Sequence, residues 1–296
     1  MKTIVVVGAG QMGQGIAQVA ASAGCTVLLC DVSRERAAEG KARIEKQLAR
    51  LVEKQKLTAS DASALLGRIE PSDASGYGRA DVLIEAATEQ RELKARLFRE
   101  ADAALPKGAL LLTNTSSLSV TWLAAQTSRP EQVAGMHFMN PVPLMKLVEI
   151  VRGLGTSTAT LTTVKELAER FGKTVIHSED RAGFIVNRML VPLMNEACFA
   201  LEEGIGSAPD IDLGAKLGLN HPLGPLELAD LVGVDTVLAI CEILHRELGD
   251  DKYRPASTLR NLVAAGWLGK KTGQGFYRYD AAGNRLEPSL ERWRGR

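Results

Sequence analysis

The chain has 296 residues, 45% of them hydrophobic. That is enough for two cores, because single domains usually stop growing at about 250 to 300 residues. Thirty-six Lys plus Arg against 35 Asp plus Glu leave a formal net charge of +1, which excludes a global field recruiting nucleic acid or an anionic membrane, so any anion site is local. The four cysteines, Cys25, Cys30, Cys198 and Cys241, lie singly in apolar stretches. They lack the close pairing of a metal site or a disulfide framework and read as buried thiols of a reducing compartment. The first residues, MKTIVVVGAG, enter a strand and a glycine turn directly, which leaves no room for a leader. No apolar run reaches the roughly 18 to 20 residues of a membrane span. A soluble, cytoplasmic protein is expected.

In chain order, Thr3 to Val7 is a β-branched run, Gln14 to Ala23 an Ala-rich helix and Thr26 to Cys30 a second apolar run. This is β-α-β. Neither strand alternates with polar residues, as expected of parallel strands covered on both faces, so the fold class is α/β with a doubly wound Rossmann sheet. From Glu35 to Lys56 the apolar residues Ala37, Ile44, Leu48 and Leu51 recur at helical steps, while Arg43, Lys46, Arg50 and Lys54 occupy other faces. A second short helix at Ala59 to Leu66 turns back toward the sheet and completes an inserted helical hairpin. Further strands are predicted at Asp81 to Ala86, Leu110 to Thr113, Val133 to Phe138, Lys146 to Val151 and Thr174 to His177. Beyond Asp180 the strand signal disappears, and Phe184 to Leu201 is apolar on nearly every side. Two domains follow: residues 1–182, the dinucleotide-binding domain, and 183–296, an all-α domain. A helix apolar all round must be covered, so a homodimer through the second domain is expected.

Gly8, Gly10 and Gly13, with Ala9, Gln11 and Met12 between them, form a GxGxxG between a strand and a helix. Such a turn lets backbone approach a pyrophosphate whose charge sits on the helix N-terminus. Asp31 ends the second strand close to the expected 20-residue spacing, where a carboxylate accepts hydrogen bonds from a ribose diol and repels a 2'-phosphate. NAD is therefore favoured over NADP, and Gly8, Gly10, Gln11, Met12, Gly13 and Asp31 are assigned to it. A glycine turn that binds FAD, a nucleotide sugar or nothing is the alternative these residues leave open.

The remaining motifs are Asn114-Thr115-Ser116-Ser117, His137-Phe138-Met139-Asn140-Pro141-Val142, Glu149 and Asp180 to Arg188. Downstream stand His221 to Pro225, Asp230 to Asp235 and Gly269 to Tyr277. In this order, over essentially the whole chain, they resemble the 3-hydroxyacyl-CoA dehydrogenase family. The resemblance implies hydride transfer between an L-3-hydroxyacyl-CoA and NAD, with His137 as the base and Glu149 fixing its tautomer, and with Ser116 and Asn187 holding the C3 oxygen. It also implies that Glu89, Lys94, Asn114 and Lys271 meet the nicotinamide half of NAD. Asn140 joins the substrate contacts, and Arg50 and Lys54 on the basic helix receive coenzyme A. Two segments depart from the family pattern: Glu89 to Lys94 reads E-Q-R-E-L-K for the usual E-N-L-K-V-K, and Gln47 stands where Ser is common. The chemistry agrees with these roles, since an imidazole titrates near neutrality and a carboxylate steadies the imidazolium that forms. A free 3-hydroxy acid or sugar acid as substrate, and an NAD-binding protein without catalysis, remain open at this stage.

Overall fold

The computed structural model describes residues 2–290, and the chain divides into two compact units, Met1–Phe184 and Ile185–Arg296. The division falls two residues beyond the expected boundary. The first unit runs β1 (Thr3–Val7), α1 (Gln11–Ser22), β2 (Thr26–Cys30), α2 (Arg34–Glu53), α3 (Ala59–Gly67), β3 (Ile69–Ser72), β4 (Val82–Glu85), α4 (Arg91–Ala104) and β5 (Leu110–Thr113). It continues with α5 (Val120–Ala124), β6 (Val133–Phe138), β7 (Leu147–Arg152), α6 (Thr158–Arg170) and β8 (Thr174–Glu179).

One eight-stranded sheet results, in the order β3-β2-β1-β4-β5-β6-β7-β8. Its alternate side chains enter two different cores. Ile4, Val6, Val27, Leu29, Ile84 and Leu112 pack with Ile16 of α1, Ile44 of α2 and Val164 of α6. Val5, Val7, Leu28, Leu83 and Leu111 pack with Phe98 of α4 and Leu123 of α5 on the opposite face. Each side chain so buried contributes roughly 1.5 to 3 kcal/mol, which is why the strands are apolar without alternation. The helical hairpin is α2 and α3.

Two features of the sheet go beyond the expectation. β3 is an added edge strand, paired to β2. Its sequence, Ile-Glu-Pro-Ser, reads as no strand because Pro71 cannot donate to a ladder and is tolerated only at an edge or a strand start. More consequential is β7, which pairs antiparallel with β6 while β8 runs parallel to β7. The last two strands therefore run against the other six.

The second unit contains α7 (Val186–Glu202), α8 (Ala208–Leu213), α9 (Pro225–Val232), α10 (Val234–Leu248) and α11 (Ser257–Ala264). The expectation of helices holds with one addition, an antiparallel hairpin of β9 (Tyr277–Tyr279) and β10 (Arg285–Pro288). Three-residue strands next to glycines carry too little alternation to register as sheet. The first helix also starts later than expected, at Val186, because Phe184 has a left-handed φ of 48°. Nor is this helix buried all round: Val191 and Met194 are buried, but Met189 is 64% exposed. No helix among the described residues is long and apolar enough to cross a membrane, and all four cysteines are free and buried.

Two buried carboxylates organise the second unit. Asp212 accepts from the N–H groups of Leu226 (2.8 Å) and Glu227 (3.1 Å) at the start of α9, and from the Tyr277 hydroxyl at 2.7 Å. Asp230 accepts from the N–H groups of Phe276 and Tyr277 at 2.8 and 2.9 Å and from the Tyr279 hydroxyl at 3.0 Å. A Cβ at Gly275 would lie 2.0 Å from the Asp230 carboxylate, so the Gly269 to Tyr277 motif keeps its glycine where loop and carboxylate meet.

Burial pushes the Asp230 carboxyl up to about 6, against hydrogen bonds that favour its charged form. Its folded value thus lies above the roughly 3.9 of an unfolded aspartate. The protonation stability it contributes is complete below about pH 4 and is lost as pH rises through 6. The stability of the wild type relative to Asp230→Asn should therefore fall between pH 4 and pH 7, as read from urea-unfolding midpoints. A difference that does not change with pH would contradict the assignment.

Candidate active site

The carboxyl ends of the parallel strands gather most of the predicted residues of the first unit. β1 lies between β2 and β4, where the strand order reverses direction, and that switch point is where open α/β sheets bind ligands. The glycine turn follows β1 there. Gly8 adopts φ 103°, and a Cβ at Gly13 would stand 1.7 Å from the Gly8 carbonyl oxygen. Gly10 has no atom within 4 Å of its missing Cβ, so that side of the turn is open to a ligand. Gln11 begins α1, with Met12 half-buried beside it. Asp31, just past β2, accepts from the N–H groups of Ala9 (2.7 Å) and Val32 (2.8 Å). Its carboxylate is thereby fixed beside the turn. A cleft of about 1000 Å³ opens here, lined by Gly10, Asp31, Val32, Tyr77, Ala86 and Leu97 among others. Its volume, open glycine backbone and fixed carboxylate fit the adenosine and pyrophosphate of a dinucleotide.

His137 and Glu149 are register partners across β6 and β7. Both are buried, His137 at 7% and Glu149 at 0% exposure, and His137 Nδ1 lies 2.6 Å from Glu149 Oε2. With Nδ1 donating to the carboxylate, Nε2 is the ring's basic nitrogen. Asn114 joins the same edge: its Oδ1 accepts from the Phe138 N–H at 2.9 Å, tying the end of β5 to the end of β6. Lys173 pins the β6–β7 connection by donating to the Val142 and Met145 carbonyls at 2.6 and 2.8 Å. Burial lowers the pKa of that ammonium.

Phe184 packs edge-on against the His137 ring at 5.6 Å between centroids. Its left-handed backbone is unusual for a bulky residue and costs about 1 to 3 kcal/mol. The sequence reading treats Phe184 only as the start of a helix, and Gly183 before it is the one available sign of a turn.

Ser116 lies in the loop after β5. Its N–H and that of Ser117 donate to Glu89 Oε1 at 3.2 and 3.1 Å, and the Ser117 hydroxyl does so at 2.8 Å. The Thr115 hydroxyl donates to the same oxygen. Burial raises the Glu89 pKa, but the Lys94 ammonium and the hydrogen bonds from Thr115 and Ser117 outweigh it and hold the carboxyl below its usual range. Lys94, 1% exposed, lies 3.1 Å from Glu89 and donates to both oxygens of Glu85 at 2.7 and 2.8 Å. A buried ammonium without such partners would cost several kcal/mol.

Residues 3–181 match the 3-hydroxyacyl-CoA dehydrogenase NAD binding domain, and residues 183–279 match the C-terminal domain of the same family. The chain belongs to the 3-hydroxyacyl-CoA dehydrogenase family. It is 50% identical to a probable 3-hydroxybutyryl-CoA dehydrogenase of Bacillus subtilis, over 95% of this chain and 98% of that one. It is 49% identical to a 3-hydroxybutyryl-CoA dehydrogenase of Bradyrhizobium diazoefficiens, over 95% and 97%. Among solved structures, an (S)-3-hydroxybutyryl-CoA dehydrogenase from Ralstonia eutropha superposes with a TM-score of 0.91 at 47% identity, covering 95% of this chain and 99% of that one.

Of the other predicted residues, Asn140 lies just past β6, Arg50 and Lys54 lie at the far end of α2, and the rest lie in the second unit. Asn140 is exposed, and its Oδ1 accepts from Gln11 Nε2 at 3.1 Å, linking the loop after β6 to the start of α1. Arg50 lies exposed in the last turn of α2, and Lys54 caps that helix. In the second unit Asn187 occupies the first turn of α7, half-buried, and Lys271 Nζ pairs with Asp235 at 2.5 and 2.7 Å.

Gly13→Ala tests the turn: its methyl must displace the Gly8 carbonyl, so NADH binding followed by fluorescence should weaken at least tenfold. An unchanged dissociation constant would show that this turn does not cradle the dinucleotide.

Proposed function

We propose that this chain interconverts an L-3-hydroxyacyl-CoA and the matching 3-ketoacyl-CoA with NAD, on short acyl groups such as 3-hydroxybutyryl. The observation carrying this reading is the buried His137–Glu149 pair, with Nδ1 held at 2.6 Å; the names of the relatives supply the substrate class. NAD, when bound, accepts the hydride from C3. The protein's part is to take the proton of the C3 hydroxyl, and His137 Nε2 does so as general base. Glu149 holds the tautomer that leaves Nε2 free and stabilises the imidazolium, more strongly for being out of water.

Ser116 and Asn187 donate to the C3 oxygen without competing as bases. Asn140 adds a substrate contact, and Arg50 and Lys54 offer cations to the phosphates of coenzyme A. Gly8, Gly10, Gln11, Met12 and Gly13 receive the pyrophosphate, and Asp31 takes the adenosine ribose. Glu89, Lys94, Asn114 and Lys271 serve the nicotinamide half. In the cell this reading places the protein in the cytoplasm, in fatty acid metabolism.

A homodimer through the second unit belongs to the same proposal. Ile205, Leu217 and Leu219 are 74%, 78% and 61% exposed there, as is Met189 of α7 at 64%, and these apolar side chains are what a pairing of two such units would cover. Pairing two such faces removes them from water at roughly 25 cal/mol per Å² of apolar area.

Three measurements test this reading. With acetoacetyl-CoA, NADH oxidation should be rapid, and His137→Gln should lower kcat by about 10² to 10⁴, the usual contribution of a positioned base, while NADH still binds. Near wild-type turnover in that variant would remove His137 from the chemistry, and faster turnover of a free 3-hydroxy acid would remove the thioester. The wild type should also prefer NADH to NADPH because Asp31 repels a 2'-phosphate; equal kcat/KM for both would defeat that role. Finally, sedimentation should give about twice the 31.8 kDa chain mass, whereas a fully active monomer at micromolar concentration would sink the dimer.

A further inference from the structure

The steps above leave one buried carboxylate without a task. Glu85 ends β4 and is 1% exposed. Its Oε1 accepts from the Ala87 N–H at 2.6 Å and from Lys94 Nζ at 2.7 Å. Its Oε2 accepts from Lys94 Nζ and from the Thr113 hydroxyl, each at 2.8 Å.

From this one group two routes lead to the same loop. Through Thr113, whose hydroxyl donates to Glu85, the loop is held at Thr115, whose N–H donates to Thr113 Oγ1 at 3.1 Å. Through Lys94, the loop is held at Ser116 and Ser117, whose N–H groups donate to the Glu89 carboxylate that Lys94 pairs with at 3.1 Å. Each link fixes a direction as well as a distance. The Thr113 hydroxyl has one proton, and giving it to Glu85 leaves its oxygen to accept from Thr115. The ammonium is anchored on Glu85, which sets where its remaining reach meets Glu89.

We propose that Glu85 is a positioning residue for Ser116, acting through Thr113 on one side and through Lys94 and Glu89 on the other. This rests on the reading of Ser116 as a donor to the C3 oxygen. A buried ion pair is weak evidence for stability, since apolar groups of similar volume often serve as well or better. Its value here is orientation, because misplacing a catalytic group by about 1 Å can cost around 10²-fold in rate. Glu85 touches neither substrate nor cofactor in this scheme, and Lys94, besides serving the nicotinamide half, links Glu85 to Glu89.

The test is a double-mutant cycle in the full-length enzyme, with kcat and KM measured for acetoacetyl-CoA. Ser116→Ala and Glu85→Gln are made singly and together. Glu85→Gln should lower kcat by about 10 to 100-fold with KM changed less than about threefold, and the combined variant should be no slower than the slower single variant. If Glu85→Gln alone does not fold, Glu85→Gln with Lys94→Met removes both buried charges together and carries the same cycle, with folding checked by circular dichroism. Multiplying effects, or full kcat in a folded Glu85 variant, would overturn the positioning role while leaving Ser116 in place. Full kcat in Ser116→Ala would instead overturn the reading of Ser116, and the relay with it.

Discussion

The chemistry of this site depends on the pairing of β6 with β7. A parallel neighbour at that position would need a crossover of a dozen or more residues and would bring other side chains opposite His137. Because β7 runs antiparallel, a short connection returns the chain so that Glu149 stands directly across from His137. The two share one face of the sheet at cross-strand distance. A one-residue slip would turn Glu149 to the other face and leave two buried polar groups unpaired. The connection is correspondingly held, by Lys173 on its carbonyls and by Gln11 on Asn140. The fold places the His137–Glu149 pair by strand direction, and the loop only has to keep that register.

The rest of the carboxyl edge follows one rule: charges buried there are matched. Glu149 meets His137, and Lys94 meets Glu85 and Glu89. Each pair costs desolvation and returns a fixed direction for a donor or acceptor. The turn after β1 instead uses bare backbone, with Asp31 bracing it through the Ala9 N–H. Its carboxylate thus has a structural task in addition to the ribose contact proposed for it.

Much of this was legible in the residues themselves. The glycine turn and Asp31 could be read because spacing, strand and helix all point to one ligand chemistry. The pairing of His137 with Glu149 was legible through the resemblance, but the sequence alone shows β7 as a strand without its direction, since hydrophobic pattern carries no arrow. β3 escaped notice because Pro71 breaks its run. Phe184 was read as part of a helix because an apolar aromatic before a helical stretch looks like its first turn, and a left-handed backbone leaves no mark beyond Gly183. Glu85 had a signal: a carboxylate that ends the buried run Val82 to Glu85 must find a partner. What could not be read was which partner, because Lys94 lies nine residues on and lysines on helices are ordinarily solvated. The exposed apolar residues of the second unit were expected along α7, and Met189 is one of them, yet the two most exposed lie beyond it, at Ile205 and Leu217, because Val191 and Met194 turn inward.

The central claim is that Glu149 selects the imidazole tautomer whose Nε2 is free to take a proton. Nitrogen-15 spectra of the histidine-labelled protein, with His137 assigned by its substitution, read this directly at a pH where the ring is neutral. The account predicts a proton on Nδ1 and a bare Nε2, and a loss of that preference in Glu149→Gln. A neutral His137 protonated on Nε2 in the wild type would contradict it.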